Sequence, residues 1–394
     1  MVLPQQKGVL AMSASIEALK EHIEELPLID HHVHGVVRDN PSTENFANMI
    51  TESDRTPKSV AMAMDSQVGF AVRRWCAPLL GLEKHASADE YFARRIEIGS
   101  EKVNRILLGE AKIAHYLIET GYRGDEIHGP EGMAQLTGAK IDEVIRLETL
   151  AQFHAETSGT SAANFSETFA TFLAQKARTA VGLKSIAAYR IGLDFDPTAP
   201  SKLELQNALG NWFKDIDSGN DRRLVDPIII RHVIWQGIEL GLPIQFHIGY
   251  GDPDLSLHKC DPLLMTELIR ITEKLNIPIL LLHNYPYQRN AGYLAQMFRN
   301  VFIDVGLAIN YSGARSPAII AESLELAPFN KILFSSDAWG LPELTYLGTR
   351  LFRNGLHEVL GEWVAKGEWS LGDAKHVSDS IAFENAHIAY SLTK

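Results

Sequence analysis

The amino-acid sequence predicts an α/β fold of the (β/α)₈ or TIM-barrel class, because short apolar runs alternate with amphipathic segments along the chain. The alternation is clearest in the second half, where four near-continuous apolar runs occupy residues 242–249, 277–284, 300–308 and 331–340. Such runs suit parallel strands that helices cover on both faces. With 394 residues, the chain is also long enough to close a complete barrel.

Helix starts between these runs are marked by a capping residue followed by proline, which suits the first helical position. Three such pairs occur, at Asp226-Pro227, Asp261-Pro262 and Ser316-Pro317. A shorter helix over 290–300 should link the strands at 277 and 300. This repeated strand–helix order predicts a parallel sheet.

Four further strands are expected in the first half of the chain, at 26–35, 111–121, 142–150 and 179–193. They bring the total to eight, the number that closes a TIM barrel. The segment from about 38 to 110 then forms a long, mostly helical insertion, which could act as a lid or as a subunit contact in a homo-oligomer. We therefore expect residues 1–394 to form a single barrel domain that carries this insertion.

The overall composition argues against several functional classes. A formal charge of −12 leaves no basic footprint for a nucleic-acid partner. No run approaches the roughly 20 apolar residues that span a bilayer, and the N-terminal apolar run is too short for a signal peptide. The two cysteines, Cys76 and Cys260, form no metal-binding or redox spacing, so we expect a reduced, cytoplasmic setting. The sequence also lacks phosphate-binding loops and a serine-nucleophile elbow.

The first expected strand ends in the sequence Asp30-His31-His32-Val33-His34. Residues two apart share one face of a strand, so His32 and His34 should point together while His31 points away. Two imidazoles at one strand end form half of a site for a divalent metal. Alone, such a pair is more often a packing feature than a ligand pair.

Further metal-binding residue types occur where other strands are expected to end. His247 ends the fifth strand, His283 ends the sixth and Asp337 ends the eighth. In a (β/α)₈ barrel these ends meet at one face, where active sites are found. The recurrence at four strand ends therefore favours a metal site over coincidence.

These residues resemble those of the amidohydrolase superfamily, and within it the branch called amidohydrolase 2. The shared pattern is His-x-His on the first strand, histidine on the fifth and sixth strands, and aspartate on the eighth. It extends over nearly all of the chain after residue 26. The segments PLIDHHVHG, GLKSIAAYR and FSSDAWGLPE are similar, more narrowly, to the amidohydrolase domain of FluG and nodulin proteins.

The resemblance and the ligand set together imply a divalent metal ion, most simply Zn²⁺, at the mouth of the barrel. The expected metal ligands are His32, His34, His247 and Asp337. Asp337 is also the expected general acid and base. His283 and His247 either complete the metal shell or, for one of them, hydrogen-bond the substrate carbonyl as charge develops.

Three functional hypotheses follow from the resemblance. The first is hydrolysis of a carbon–nitrogen bond in a small-molecule amide, such as a γ-glutamyl amide with a free carboxylate. The second is metal-dependent decarboxylation of an aromatic acid, a reaction that the same branch includes. The third is a barrel that binds without catalysis, and the intact ligand set argues against it.

Two basic residues of the fourth strand region have open roles. Lys184 could be carboxylated and bridge two metals, as in some superfamily members, or remain an unmodified barrel lysine beside a single metal, which we favour. Arg190 would share its face if the strand continued, and could bind a substrate carboxylate in a bidentate pair. Alternatively, Arg190 forms a salt bridge with a neighbouring acid such as Glu148.

Overall fold

The computed structural model describes residues 4–393, with side chains from residue 12 onward. Seven parallel strands form one sheet in the described residues, and the spatial order of the strands follows the chain. The strands are β1 Leu28–Val33, β2 Ile113–Glu119, β3 Lys140–Arg146, β4 Ala180–Ser185, β5 Ile244–His247, β6 Ile279–Leu282 and β7 Val301–Ile303. The predicted α/β barrel class is confirmed.

The predicted eighth strand at 331–340 lies between β7 and β1 and closes the barrel. On one side, the Leu333 amide donates to the Ile303 carbonyl at 2.9 Å. On the other side, the His34 amide donates to the Ala338 carbonyl at 2.9 Å. The segment therefore occupies the eighth position of the barrel with hydrogen bonds to both neighbours.

This closing segment is not a regular strand, which differs from the prediction. Its Ser336 amide donates to the carboxylate of Asp30 instead of a strand carbonyl. The next residue, Asp337, has a φ of +49°, a left-handed backbone that no β-ladder accommodates. A side-chain acceptor and a left-handed residue therefore interrupt the ladder at the point where Asp337 is presented.

Helices surround the sheet and fill the connections between strands. The first ten are α1 Pro4–Glu24, α2 Thr43–Met49, α3 Val60–Met64, α4 Gln67–Ala71, α5 Ala77–Leu79, α6 Ala88–Ile98, α7 Ser100–Ala111, α8 Pro130–Thr137, α9 Leu147–Ala155 and α10 Phe165–Lys176. The remaining ones are α11 Ala187–Arg190, α12 Lys202–Asp217, α13 Pro227–Leu240, α14 Thr266–Lys274, α15 Gln288–Met297, α16 Gly306–Ser312, α17 Ser316–Ser323, α18 Pro342–Ala365, α19 Leu371–Asp379 and α20 Asn385–Ala389.

Shorter turns of helix complete the described chain. Two are π-helical, Val72–Cys76 and Ser380–Glu384, and four are 3₁₀-helical, Leu257–Lys259, Pro262–Met265, Gly313–Arg315 and Phe329–Lys331. Within residues 4–393, no helix combines the length and apolar character needed to cross a bilayer.

The predicted helix starts are partly corrected. Asp226 caps α13 as expected, because its side chain accepts the Ile228 and Ile229 amides. Asp261 also caps a helix, but a 3₁₀ turn comes first and α14 begins at Thr266. Ser316 is the first residue of α17 instead of its cap, since a 3₁₀ turn runs directly into that helix.

The third and fourth strands end earlier than predicted, and Glu148 explains why. β3 ends at Arg146, and α9 follows at once, so Glu148 lies in the first turn of a helix. The buried Glu148 carboxylate accepts the Ser185 hydroxyl at 2.6 Å and the Ile186 amide at 3.1 Å. These bonds end β4, and Arg190 consequently lies in the short helix α11.

The region of the predicted insertion, about 38–110, contains α2 to α7 and is tied to the barrel by a buried ion pair. The Arg95 guanidinium of α6 donates from Nε to Oε1 of Glu343, at the start of α18, at 2.7 Å. The Tyr91 hydroxyl donates to the same oxygen at 2.9 Å. Removal of either charged partner would leave an uncompensated buried charge, so this contact holds the helices against the barrel.

Gly306, at the start of α16, packs closely on the closing segment. A β-carbon there would lie 2.0 Å from Ser335 Oγ and 2.7 Å from the Ser335 carbonyl oxygen. We expect Gly306→Ala to lower the free energy of unfolding by about 1–3 kcal/mol, because the crowded segment must shift. Urea denaturation measures this change.

A matched control is Gly210→Ala on the exposed face of α12, where an added β-carbon meets nothing within 4 Å. That change should leave stability equal or raise it by up to about 1 kcal/mol, because alanine is the better helix former. Equal effects of the two substitutions would contradict the close packing at Gly306.

Candidate metal centre

The carboxylate of Asp337 is the point on which the strand-end histidines converge. His32 Nε2 lies 3.0 Å and His34 Nε2 lies 3.8 Å from Asp337 Oδ1. His283 Nδ1 lies 3.4 Å from the other oxygen, Oδ2. Ligand atoms of His32, His283 and Asp337 all lie within 4.8 Å of one another, the spacing of a metal site.

Hydrogen bonding leaves the correct nitrogen of His34 free. Its Nδ1 donates to the main-chain carbonyl of Glu119 at 2.9 Å, so the proton resides on Nδ1. The lone pair then lies on Nε2, which faces Asp337. A backbone acceptor behind the ring is how proteins usually orient a metal-binding histidine.

His247 lies beside this group, with its ring centroid 4.6 Å from that of His283. Two further buried ring nitrogens, His247 Nε2 and His283 Nδ1, have no hydrogen-bond partner in the described chain. Buried polar atoms are normally paired, so these orphaned atoms favour a missing partner. A set of imidazoles and a carboxylate suits zinc and other divalent transition metals. The residues therefore fit a divalent ion.

Burial dominates the electrostatics of the cluster. It raises the pKa of Asp337 and lowers the pKa of Lys184, because both charged forms lose solvation, and the opposite charges partly offset each shift. Burial also lowers the pKa of His32, His247 and His283 well below the usual range. Neutral imidazoles keep the lone pair that metal binding requires.

His283 is presented by strained backbone that a buried carboxylate holds. His283 has a φ of +69° and Asn284 a φ of +57°, both in the left-handed region that costs roughly 1–3 kcal/mol for such residues. Asp304, at the end of β7, accepts the His283 amide at 2.9 Å and the Gly306 amide at 2.9 Å. Its own carbonyl accepts Asn284 Nδ2 at 2.8 Å.

Asp337 is held in the same way by Asp30 of β1. The Asp30 carboxylate accepts both the amide of Ser336 at 2.9 Å and its hydroxyl at 2.5 Å. The Ser336 hydroxyl oxygen in turn accepts the Ala338 amide at 3.2 Å. These bonds enclose Asp337 on both sides and support its left-handed φ.

His31 lies on the opposite face of β1 from His32 and His34. Its Nε2 donates to Asp304 at 2.9 Å, and the Tyr390 hydroxyl lies 2.9 Å from its Nδ1. His31 thus supports the carboxylate that anchors His283, and it does not reach Asp337.

Lys184 lies on the floor of the site with its Nζ 3.2 Å from His32 Nε2. The side chain is fully enclosed. It belongs to the inner face of β4, where sequence reasoning had left both a carboxylated and an unmodified lysine open.

Arg190 lines the cavity above this floor but makes no ion pair with Glu148 or any other acid of the described chain. Its Nε and Nη1 are buried without a hydrogen-bond partner. The salt bridge considered as an alternative is therefore not formed, although Glu148 uses only its Oε1, for Ser185 and Ile186, and leaves Oε2 without a hydrogen-bond partner.

The cavity at the barrel mouth has a volume of about 450 Å³ and contains residues that sequence reasoning missed. Arg146 follows the same strand-end rule as the predicted ligands, at the end of β3, and pairs with the buried Glu119 at the end of β2. That rule could have identified both. Glu52 lies in the irregular segment after α2, where no periodic pattern indicated a site.

The chain is similar to known proteins over most of its length. A family model described as amidohydrolase matches residues 216–356. The solved structure of a presumed metal-dependent hydrolase from Lactobacillus casei ATCC 334 is 30% identical, with a TM-score of 0.82, and the match covers 95% of this chain and 97% of that one. The chain belongs to the amidohydrolase family.

The chain is also 25% identical over 421 residues to protein fluG of Emericella nidulans, in a match that covers 97% of this chain and 47% of that relative. A uronate isomerase from Bacillus halodurans C-125 shares the fold alone, with 15% identity and a TM-score of 0.63. The family implies a divalent metal, and it supports an enzyme of the metal-dependent hydrolase class.

The opposite orientations of two neighbouring histidines generate a prediction. His34→Gln should remove a ring nitrogen that faces Asp337 and reduce bound metal roughly 10- to 100-fold or more. His31→Gln should retain metal and instead lower the melting temperature, because it breaks the buried bond to Asp304. Elemental analysis and thermal unfolding separate the two effects. Equal loss of metal from both variants would show that the register of β1 is wrong.

The position of Lys184 leads to a second prediction. The protein should bind about one equivalent of divalent metal, and Lys184 should not be carboxylated. The amine lies 3.2 Å from His32 Nε2, within hydrogen-bond distance of an expected ligand atom, which favours an unmodified lysine. Elemental analysis and carbon NMR after exchange with labelled bicarbonate test this. A carbamate signal together with two metals about 3.5–4 Å apart would refute it.

Proposed function

We propose that this amidohydrolase hydrolyses the amide bond of a carboxylate-bearing small molecule, with a γ-glutamyl amide as the leading candidate. The observation that carries the proposal is the convergence of His32, His34 and His283 on the Asp337 carboxylate. They meet at the strand-end mouth of the barrel, under a polar cavity of about 450 Å³. The similarity to fluG supports the glutamyl class as a hypothesis.

His32, His34 and Asp337 would hold the metal, for which we propose Zn²⁺. The geometry favours His283 as the further ligand, because its Nδ1 lies nearest to the Asp337 carboxylate among the remaining imidazoles. His247, expected as a ligand from the sequence, would then be available to the substrate. When bound, the ion would lower the pKa of a water molecule and polarise the amide carbonyl.

Asp337 is suited to move the proton of the reaction. Its carboxylate has only a small exposed fraction of 11%, and that fraction faces the cavity. We assign it the role of accepting a proton from the attacking water and donating it to the leaving amine. His247, with its unpaired Nε2, would hydrogen-bond the carbonyl oxygen as negative charge develops there.

Arg190 is suited to hold the carboxylate of the substrate. The guanidinium carries two buried N–H positions without a partner, and it lines the cavity that the reacting amide would enter. A carboxylate could satisfy both positions in a bidentate pair. This would fix the substrate at a distance from the metal and align its amide with Asp337.

The test is an amine-release assay with metal-loaded protein and a set of γ-glutamyl amides. Asp337→Asn should lower kcat/KM by roughly 10²–10⁴-fold or more, the range expected for a general acid–base group. Removal of the metal with a chelator should abolish activity, and added Zn²⁺ should restore it. Asp217→Asn, an exposed change at the end of α12, is the control and should retain full activity.

Two outcomes contradict the proposal. Full activity in protein verified to be metal-free would refute metal-dependent hydrolysis. Release of CO₂ from aromatic acids without release of amine from amides would replace the hydrolase with the decarboxylase considered above.

A further inference from the structure

Most charged side chains around the candidate site already have partners. Arg123 pairs with Glu126 at 2.5 Å and Arg223 pairs with Asp254 at 2.5 Å, both at the rim of the cavity. Arg146 of the cavity wall pairs with the buried Glu119 through Nη2, although its Nε has no hydrogen-bond partner. Salt bridges of this kind neutralise the rim and present no net charge to a ligand.

Arg190 and Glu52 are two residues of opposite charge in the same cavity that form no ion pair within the described residues. Arg190 has no carboxylate within salt-bridge distance in residues 4–393, and two of its donors are orphaned. Glu52 lines the cavity without any hydrogen bond or ion pair to the described residues, and burial together with the carboxylates of Asp337 and Asp252 raises its pKa well above the usual range. The two side chains do not pair with each other, although an ion pair would be the simplest way to satisfy both.

A charge without a partner in a low-dielectric cavity is unfavourable unless a ligand supplies the opposite charge. The carboxylate of a ligand would pair with Arg190, and an ammonium group would pair with Glu52. Asp252 is a poorer candidate for the ammonium, because it already accepts the Asp254 amide at 2.8 Å in a local turn.

Aromatic rings beside Glu52 favour the same ligand chemistry. Tyr189 and Tyr311 line the cavity with it. Burial raises the pKa of both phenols, and the Glu52 carboxylate adds to the rise. Aromatic faces next to an acid attract an ammonium group.

We propose that Glu52 and Arg190 together recognise the head group of an α-amino acid, Arg190 through its carboxylate and Glu52 through its ammonium group. This inference rests on the proposed amide hydrolysis and narrows its substrate class. The substrate is a zwitterionic γ-amide, and simple amides of dicarboxylic acids or of amines fit less well. Glu52 is a specificity-determining residue in this arrangement and takes no part in bond cleavage.

The first experiment measures binding without turnover. Isothermal titration of metal-loaded protein uses L-glutamate, glutarate, which lacks the ammonium group, and 4-aminobutyrate, which lacks the α-carboxylate. L-Glutamate should bind about ten- to hundredfold more tightly than either analogue, the effect of one charge-assisted hydrogen bond. Wild-type protein that binds L-glutamate no more tightly than both analogues overturns the proposal.

Variants assign each charge to its residue. Glu52→Gln should weaken L-glutamate and 4-aminobutyrate about ten- to hundredfold and leave glutarate unchanged. Arg190→Met should weaken L-glutamate and glutarate and leave 4-aminobutyrate unchanged. The matched controls are Glu44→Gln on the exposed start of α2 and Arg178→Met at the opposite end of β4, and both should bind all three as wild type does. Equal weakening of all three probes by Glu52→Gln overturns the assignment.

Kinetics on the corresponding amides separates this inference from the hydrolase proposal. If each variant weakens only the probes that carry its partner charge, but no amide is hydrolysed, the head-group site is supported and the proposed reaction is refuted. Hydrolysis of the glutarate monoamide as efficiently as the γ-glutamyl amide would support the reaction and refute the head-group site. Metal content and melting temperature of each variant verify that its fold is intact.

Discussion

The site depends on two buried carboxylates that do not themselves face the cavity. Asp30 and Asp304 accept main-chain amides at the ends of the closing segment and β6, where His283 and Asp337 adopt left-handed backbone. Without those acceptors, the strained turns would relax and the two side chains would separate. Each such hydrogen bond contributes about 0.5–1.5 kcal/mol, or more where the acceptor is ionised, and several together offset a local strain of roughly 1–3 kcal/mol.

The strained turns orient side chains from distant parts of the chain toward one point. A regular strand at the eighth position would have directed alternate side chains inward at fixed intervals. The interrupted ladder instead turns Asp337 toward His32 and His34 of β1, its neighbour across the closure. His31, which points the other way, contributes through Asp304. One four-residue stretch at the end of β1, residues 31–34, therefore supplies both expected ligands and support.

Charge distribution divides the cavity into regions with different tasks. The floor gathers imidazoles and one carboxylate under strong desolvation, which keeps the imidazoles neutral. Two arginines of the lining, Arg123 and Arg223, pair with acids, while Glu52 and Arg190 of the same lining form no ion pair within the described residues. The segment that carries Glu52 belongs to the region of the predicted insertion, which the Arg95–Glu343 ion pair holds against the barrel. The region of the predicted insertion thus contributes part of the cavity wall.

The sequence alone predicted the barrel class, most strand positions and a shared barrel face for His32, His34, His247, His283 and Asp337, because strand periodicity and strand ends are local properties. It could not determine where β4 ends, since that depends on Glu148 from a neighbouring element. It likewise gave no sign that Asp30 and Asp304 hold left-handed turns, or that Glu52 enters the cavity. Those features arise from contacts between residues far apart in the chain, and only the tertiary structure decides which distant groups meet.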